Sequence, residues 1–192
     1  MKKKILVYGS TEFGAVVREL VRHCGAHFAG FVDDWHAGEG IIGTLADVIQ
    51  TCPPEEYDFA IAIGYKHLEA RRCKFDELLA HGYCLPSFIH PQAYVSDSTT
   101  IGAGALVMAR AVLDIRAQVG DLAVVWPGAV INHDCVVDGN TFISPNATLC
   151  GHSRVGIDTF IGAGGVVVDH TSVPSGSFIK AGSVFVRKKA SN

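Results

Sequence analysis

The stretch most able to do chemistry is Asn132-His133-Asp134-Cys135. An imidazole beside a carboxylate suits a general base, because the acid fixes one ring nitrogen as donor and leaves the other to take a proton. Two readings fit these residues. In one, His133 is the base and Asp134 orients it and raises its basicity. In the other, His133 is a surface side chain, and Asp134 points to the opposite side of a strand as sequence neighbours do. A second such stretch lies near the N-terminus, where Gly9-Ser10-Thr11-Glu12-Phe13-Gly14 follows the apolar run Ile5-Leu6-Val7-Tyr8. A strand, a glycine turn and a helix start offer backbone N–H groups and a dipole to an anion. Asp33-Asp34 ends a second apolar run, where an acid can accept from a ribose or a base edge. The G-x-x-x-x-G spacing differs from the dinucleotide spacing G-x-G-x-x-G, and the segment is too short for two mononucleotide halves. It suits one nucleotide rather than NAD. The same glycines would equally serve a small α/β unit that binds nothing.

His90, His133, His152 and His170 lie in or near the second half of the chain. His152 and His170 are 18 residues apart, and 18 residues after His133 comes Gly151, next to His152. Among these four there is no closely spaced pair, and the chain has no Cys-x-x-Cys; a zinc site would have to be assembled from His133, His152 and a neighbouring subunit, so no metal is expected. The cysteines, Cys24, Cys52, Cys73, Cys84, Cys135 and Cys150, read as reduced and mostly buried thiols.

A period of six positions these groups. From Ile89 to Phe185 every sixth residue is a branched aliphatic or Phe, and a small side chain follows four residues later. Six fits neither the helical period nor the strand period, and marks a parallel β-helix in which three faces make a coil of 18 residues. Residues 18 apart then share a face on successive coils, separated by ~4.8 Å. The run has no insertion, so no long loop of the repeat covers the candidate base.

Residues 1–86 lack this beat and read as βαβαβ, a short Rossmann-like α/β unit with a parallel sheet, followed by the β-helix over residues 87–192. Strands are expected over 5–8, 28–32 and 59–63, and helices over 15–24, 45–50 and 67–81. Val16, Val17, Leu20 and Val21 should face inward from the first helix, and Leu68, Cys73, Leu78 and Leu79 from the last. A net charge of −3 gives no electrostatic case for nucleic acid or an anionic membrane surface. The apolar run after Lys2-Lys3-Lys4 meets Gly9 at once, which leaves no signal core and no spanning segment; a cytoplasmic location is expected.

Along its whole length the chain resembles the bacterial PglD/NeuD-like nucleotide-sugar N-acetyltransferases. The most specific resemblance is Ile131-Asn132-His133-Asp134-Cys135 followed by Phe142-Ile143-Ser144-Pro145-Asn146-Ala147-Thr148-Leu149-Cys150-Gly151. It implies a left-handed β-helix, a homotrimer with active sites between neighbouring β-helices, acetyl-CoA as donor, and an amino sugar on UDP, dTDP or GDP as acceptor, in cell-surface glycan biosynthesis such as O-antigen and lipopolysaccharide. His133 falls on the family's general base and Asp134 on its acid. Gly9, Ser10 and Thr11 fall on the phosphate loop, Asp33 and Asp34 on the base and ribose contacts, and Gly64 on the loop after strand three. Phe142, Ala163 and Ala181 fall on acetyl-CoA contacts, with Gly151 near the thioester. Two readings fit the basic residues Lys180, Arg187, Lys188 and Lys189: contacts to the CoA phosphates, or simply a solvated tail. The chain departs from the family at Glu12-Phe13, where a His-containing loop is usual, at Tyr65-Lys66, and at Phe142, where a histidine is usual. O-acetylation of a sugar such as sialic acid, with His133 again the base, and a trimeric scaffold that holds a nucleotide sugar without catalysis remain as alternatives.

Overall fold

The structure is a computed structural model that describes residues 3–186. It divides into two compact units, Met1–Phe88 and Ile89–Asn192. Among the described residues no helix is long and apolar enough to cross a membrane.

The first unit runs β1 (Lys4–Tyr8), α1 (Glu12–His23), β2 (Phe28–Val32), β3 (Ile41–Gly43), α2 (Leu45–Thr51), β4 (Tyr57–Ile61) and α3 (Leu68–Ala80). Its sheet is parallel throughout, in the order β3-β2-β1-β4. The central strand β1 carries Ile5, Leu6, Val7 and Tyr8, all buried, as a strand covered on both faces must. β3 is an addition to the expected pattern; three residues are too few for a periodic signal.

Two helices turn differently from expectation. In α1 the inward stripe is Gly14, Val17, Leu20 and Val21, while Val16 faces out. Gly14 holds an inward place because a Cβ there would run into the Gly9 carbonyl. In α3 the inward stripe is Arg71, Phe75 and Leu78, at helical spacing, so Cys73 and Leu79 face out despite their apolar character. Nor are the cysteines mostly buried: Cys52 and Cys135 are, Cys24 and Cys150 are half-buried, and Cys73 and Cys84 are exposed.

The second unit is a left-handed parallel β-helix. Two-residue strands recur on the beat of six and stack into three parallel sheets, so that Val125 pairs with Val107 and Ile143, and Ile131 with Leu113 and Leu149. Both repeating columns point inward. The aliphatics from Val107 to Val173 are at most 3% exposed, and beside them Ala105, Ala111, Ala117, Ala123, Ala129, Cys135 and Ala147 are fully buried. A backbone beat accompanies the side-chain beat. Three residues after each interior aliphatic, from Gly104 through Arg116, Asp134 and His152 to Gly182, φ lies between 52° and 72°. This left-handed conformation turns the corner between faces; it is easy for Gly, tolerated by Asn and Asp, and strained for Arg110 or Leu122.

Ile143 lies in the interior column between Val125 and Ile161 and has no exposed surface. Ile143→Ala is expected to cost about 2–5 kcal/mol, the transfer term plus the cavity left in a stacked interior. Denaturant unfolding monitored by circular dichroism measures it.

Candidate active site

On the β-helix, His133 Nδ1 lies 2.9 Å from Asp134 Oδ2. These two would diverge in a strand, but Asp134 is a corner residue with φ 61°, and the turn brings its carboxylate back to the neighbouring ring. Arg116, one coil earlier, grips the same carboxylate with Nε on Oδ1 at 2.7 Å and Nη2 on Oδ2 at 2.9 Å. The Arg116 guanidinium, and then the His133 ring, hold the Asp134 carboxyl well below the usual carboxylate range. An ionised Asp134 makes Nδ1 the protonated nitrogen and leaves Nε2 as the acceptor. The ring lies over Gly151, where a Cβ would stand 2.6 Å from Cε1 and Nε2. The His133 carbonyl accepts the His152 N–H at 3.1 Å, and His152 stacks on His170 at 4.7 Å as their spacing implies.

Among the described residues, His133, Asp134 and His152 bring donor atoms within 4.8 Å of one another. Both Asp134 oxygens already accept from Arg116, which commits the carboxylate to a guanidinium. Cys135 is no nucleophile: it is fully buried, its Sγ lies 3.0 Å from the Cys150 carbonyl, and burial pushes the thiol up. Asn132 Nδ2 donates to the Leu149 carbonyl at 2.7 Å and ties this strand to the next coil.

The first unit holds a cavity of about 700 Å³, lined by Tyr8, Gly9, Thr11, Asp33, Asp34, Trp35, His36, Gly64, His67 and Lys74, among others. Gly9 has φ +103° and a Cβ there would meet the Ala62 carbonyl at 2.9 Å, so the turn needs glycine. Asp33 is buried and spends both oxygens inside the protein. Oδ2 accepts the Ser10 N–H and hydroxyl at 2.9 and 2.6 Å, and Oδ1 accepts the N–H groups of Trp35 and His36, each at 3.0 Å. Burial alone would raise the Asp33 carboxyl; the Ser10 hydroxyl, the Trp35 N–H, the Ser10 N–H and His36 outweigh it and hold the group well below its usual range. Asp33 thus braces the glycine turn against the loop after β2, and Ser10 is taken up in that brace. Asp34 accepts from Tyr8 at 2.5 Å, from the Leu45 N–H at 2.7 Å and from Lys74 at 3.5 Å. Trp35 stands 87% exposed on the cavity wall.

The residues expected from the sequence to contact acetyl-CoA fall in two groups. Ala163, Lys180 and Ala181 are exposed, and the Ala163 carbonyl accepts the Gly182 N–H at 2.9 Å. Phe142 is 1% exposed, with its side chain committed to packing. Arg187, Lys188 and Lys189 lie outside the described residues. Sequence reasoning passed over Arg116, Trp35, His36 and Lys74. Arg116 lies 18 residues before Asp134, and following that column would have found it.

Residues 4–77 match the PglD N-terminal domain family. The acetyltransferase domain of PglB from Neisseria gonorrhoeae FA1090, in complex with acetyl coenzyme A, is 36% identical, with a TM-score of 0.90 over 97% of this chain and 92% of that one. A mutant of perosamine N-acetyltransferase from Caulobacter crescentus, in complex with CoA and GDP-perosamine, is 29% identical, with a TM-score of 0.89 over 97% and 90%. GDP-perosamine N-acetyltransferase of Escherichia coli O157:H7 is 26% identical over 136 residues, 68% of this chain; the match spans 60% of that relative's length.

Proposed function

Since the chain belongs to the PglD/NeuD-like family of sugar N-acetyltransferases, we propose that it moves an acetyl group from acetyl-CoA to the amine of a nucleotide-linked amino-deoxy sugar. The observation that carries this reading is the His133–Asp134 pair at 2.9 Å, half-exposed on a β-helix corner with a glycine beneath the ring. The relatives that bind acetyl coenzyme A, or CoA with GDP-perosamine, support it.

In this mechanism His133 Nε2 takes a proton from the amine as its nitrogen attacks the thioester carbonyl. Asp134 keeps the ring in one tautomer and favours the imidazolium. A backbone N–H near Gly151 steadies the oxyanion. The C–S bond then breaks, the CoA thiolate takes up a proton to leave as the free thiol, and the sugar nitrogen becomes an amide. Ala163, Lys180 and Ala181 are the proposed acetyl-CoA contacts; the nucleotide occupies the cavity of the first unit, against Gly9, Thr11, Asp34 and Gly64. The proposed assembly is a homotrimer, working in the cytoplasm in glycan synthesis. The test is thiol release from acetyl-CoA with a panel of UDP-, dTDP- and GDP-linked amino sugars. Release with one of them is expected; silence on all would overturn the reading.

Trp35 offers the cavity a flat apolar face whose backbone is pinned by Asp33. Stacking a base on an aromatic ring contributes about 1–3 kcal/mol. Trp35→Ala is therefore expected to raise KM for the nucleotide sugar roughly tenfold while leaving KM for acetyl-CoA unchanged, as steady-state kinetics would show.

A further inference from the structure

The corner column through Asp134 has a definite order. Ser98, Arg116, Asp134, His152 and His170 follow one another every 18 residues, and the last four have φ of 56°, 61°, 58° and 52°. Each therefore leaves an equivalent corner and meets the residues one coil before and one coil after. Ser98 Oγ accepts the Arg116 N–H at 3.0 Å. Arg116 spans both oxygens of Asp134, and Asp134 Oδ2 also faces His133 Nδ1. One carboxylate is shared by a guanidinium and the proposed base.

A short carboxylate side chain has several staggered orientations. A guanidinium fork fixes one of them, because its two N–H groups match the two oxygens only when the planes coincide. The Arg116 side chain is 61% exposed, and an exposed ion pair adds little to stability. What the pair supplies is direction: with the fork in place, Oδ2 stays against the imidazole.

We propose that Arg116 is a positioning residue for acetyl transfer, whose guanidinium holds the Asp134 carboxylate in the plane that keeps His133 Nδ1 hydrogen-bonded and Nε2 directed at the reacting amine. This rests on the reading of His133 as the base. The charged and titratable groups around His133 are Arg116 and Asp114 from the coil before, Asp134 beside it, His152 from the coil after, and His170 stacked beyond. Asp114 turns Oδ1 to the Ile115 N–H at 2.7 Å, and His152 Nε2 stands 3.7 Å from Asp134, too far for a hydrogen bond. Loss of the guanidinium frees the carboxylate from its fixed plane, which slows transfer.

The experiment is steady-state kinetics of the full chain, with acetyl-CoA and the panel sugar that gives thiol release, for Arg116→Gln, Arg116→Lys, His133→Ala, the double variant Arg116→Gln/His133→Ala and the unaltered protein. Arg116→Gln is expected to lower kcat about tenfold and leave both KM values within about threefold. Arg116→Lys, which keeps the charge without the fork, is expected not to restore kcat in full. In the His133→Ala background Arg116→Gln is expected to cost nothing more, because the clamp acts only through the ring. An unchanged kcat in Arg116→Gln, or the same tenfold loss in the His133→Ala background, overturns the proposal. If His133→Ala keeps full activity, the base reading fails; the clamp is then judged by the NMR signal of the hydrogen-bonded His133 Nδ1–H, which must weaken or vanish in Arg116→Gln and sinks the clamp if it is unchanged.

Discussion

His133→Ala is expected to lower kcat about 10²–10⁴-fold, the range of a positioned general base. That loss corresponds to roughly 3–5 kcal/mol of transition-state stabilisation. The reasons for a large effect are geometric. Asp134 fixes the tautomer through a 2.9 Å contact, and Gly151 leaves the ring no side chain to lean against. The substitution is also clean. The His133 side chain is 46% exposed and its carbonyl, not its ring, carries the hydrogen bond to the next coil. Fold and KM for acetyl-CoA are therefore expected to stay near those of the unaltered protein. Near-normal kcat/KM in a folded His133→Ala protein would mean that another group, or water, takes the proton.

How much of this could be read from residues alone depended on period. The six-residue beat specified the β-helix, its interior columns and the stacking of His152 on His170, because each depends only on counting. The counting also placed His133 over Gly151. It did not decide whether Asp134 could reach His133. That contact depends on the left-handed corner at Asp134, and the corner column holds Arg, Leu, Asp, Asn, His and Gly, too mixed a set to announce one conformation. Arg116 was passed over for the same reason: its role appears only when the column of 18 is followed outward from Asp134. In the first unit, the strands and helices were legible from apolar runs, but helix faces were misjudged where a polar residue took an inward place. Arg71 is fully buried while Leu79 is exposed, a reversal that hydropathy does not foresee. Asp33 shows a further limit. An acid after a strand suggested ligand contact, whereas its oxygens accept from Ser10, Trp35 and His36.

Gly151→Ala is the second substitution expected to have a large effect, and it acts without touching a polar group. A Cβ at Gly151 would stand 2.6 Å from both Cε1 and Nε2 of His133. Gly151 is not one of the left-handed corners, so alanine brings no backbone strain. The near atoms belong to the end of a side chain, and the ring can swing aside while the coil stays intact. Moving a catalytic group by about 1 Å can cost about 10²-fold in rate. Gly151→Ala is therefore expected to lower kcat by about that factor, with thermal stability and KM for acetyl-CoA little changed. A rise in that KM at constant kcat would make Gly151 a CoA contact instead of the floor beneath the base. The double variant Gly151→Ala/His133→Ala separates the two further. If the methyl acts only by displacing the ring, removing the ring first leaves it nothing to displace, and the double variant is expected to be no slower than His133→Ala alone. An additional loss in the double variant would show that Gly151 contributes directly to the transfer, through its own N–H or through room for the thioester.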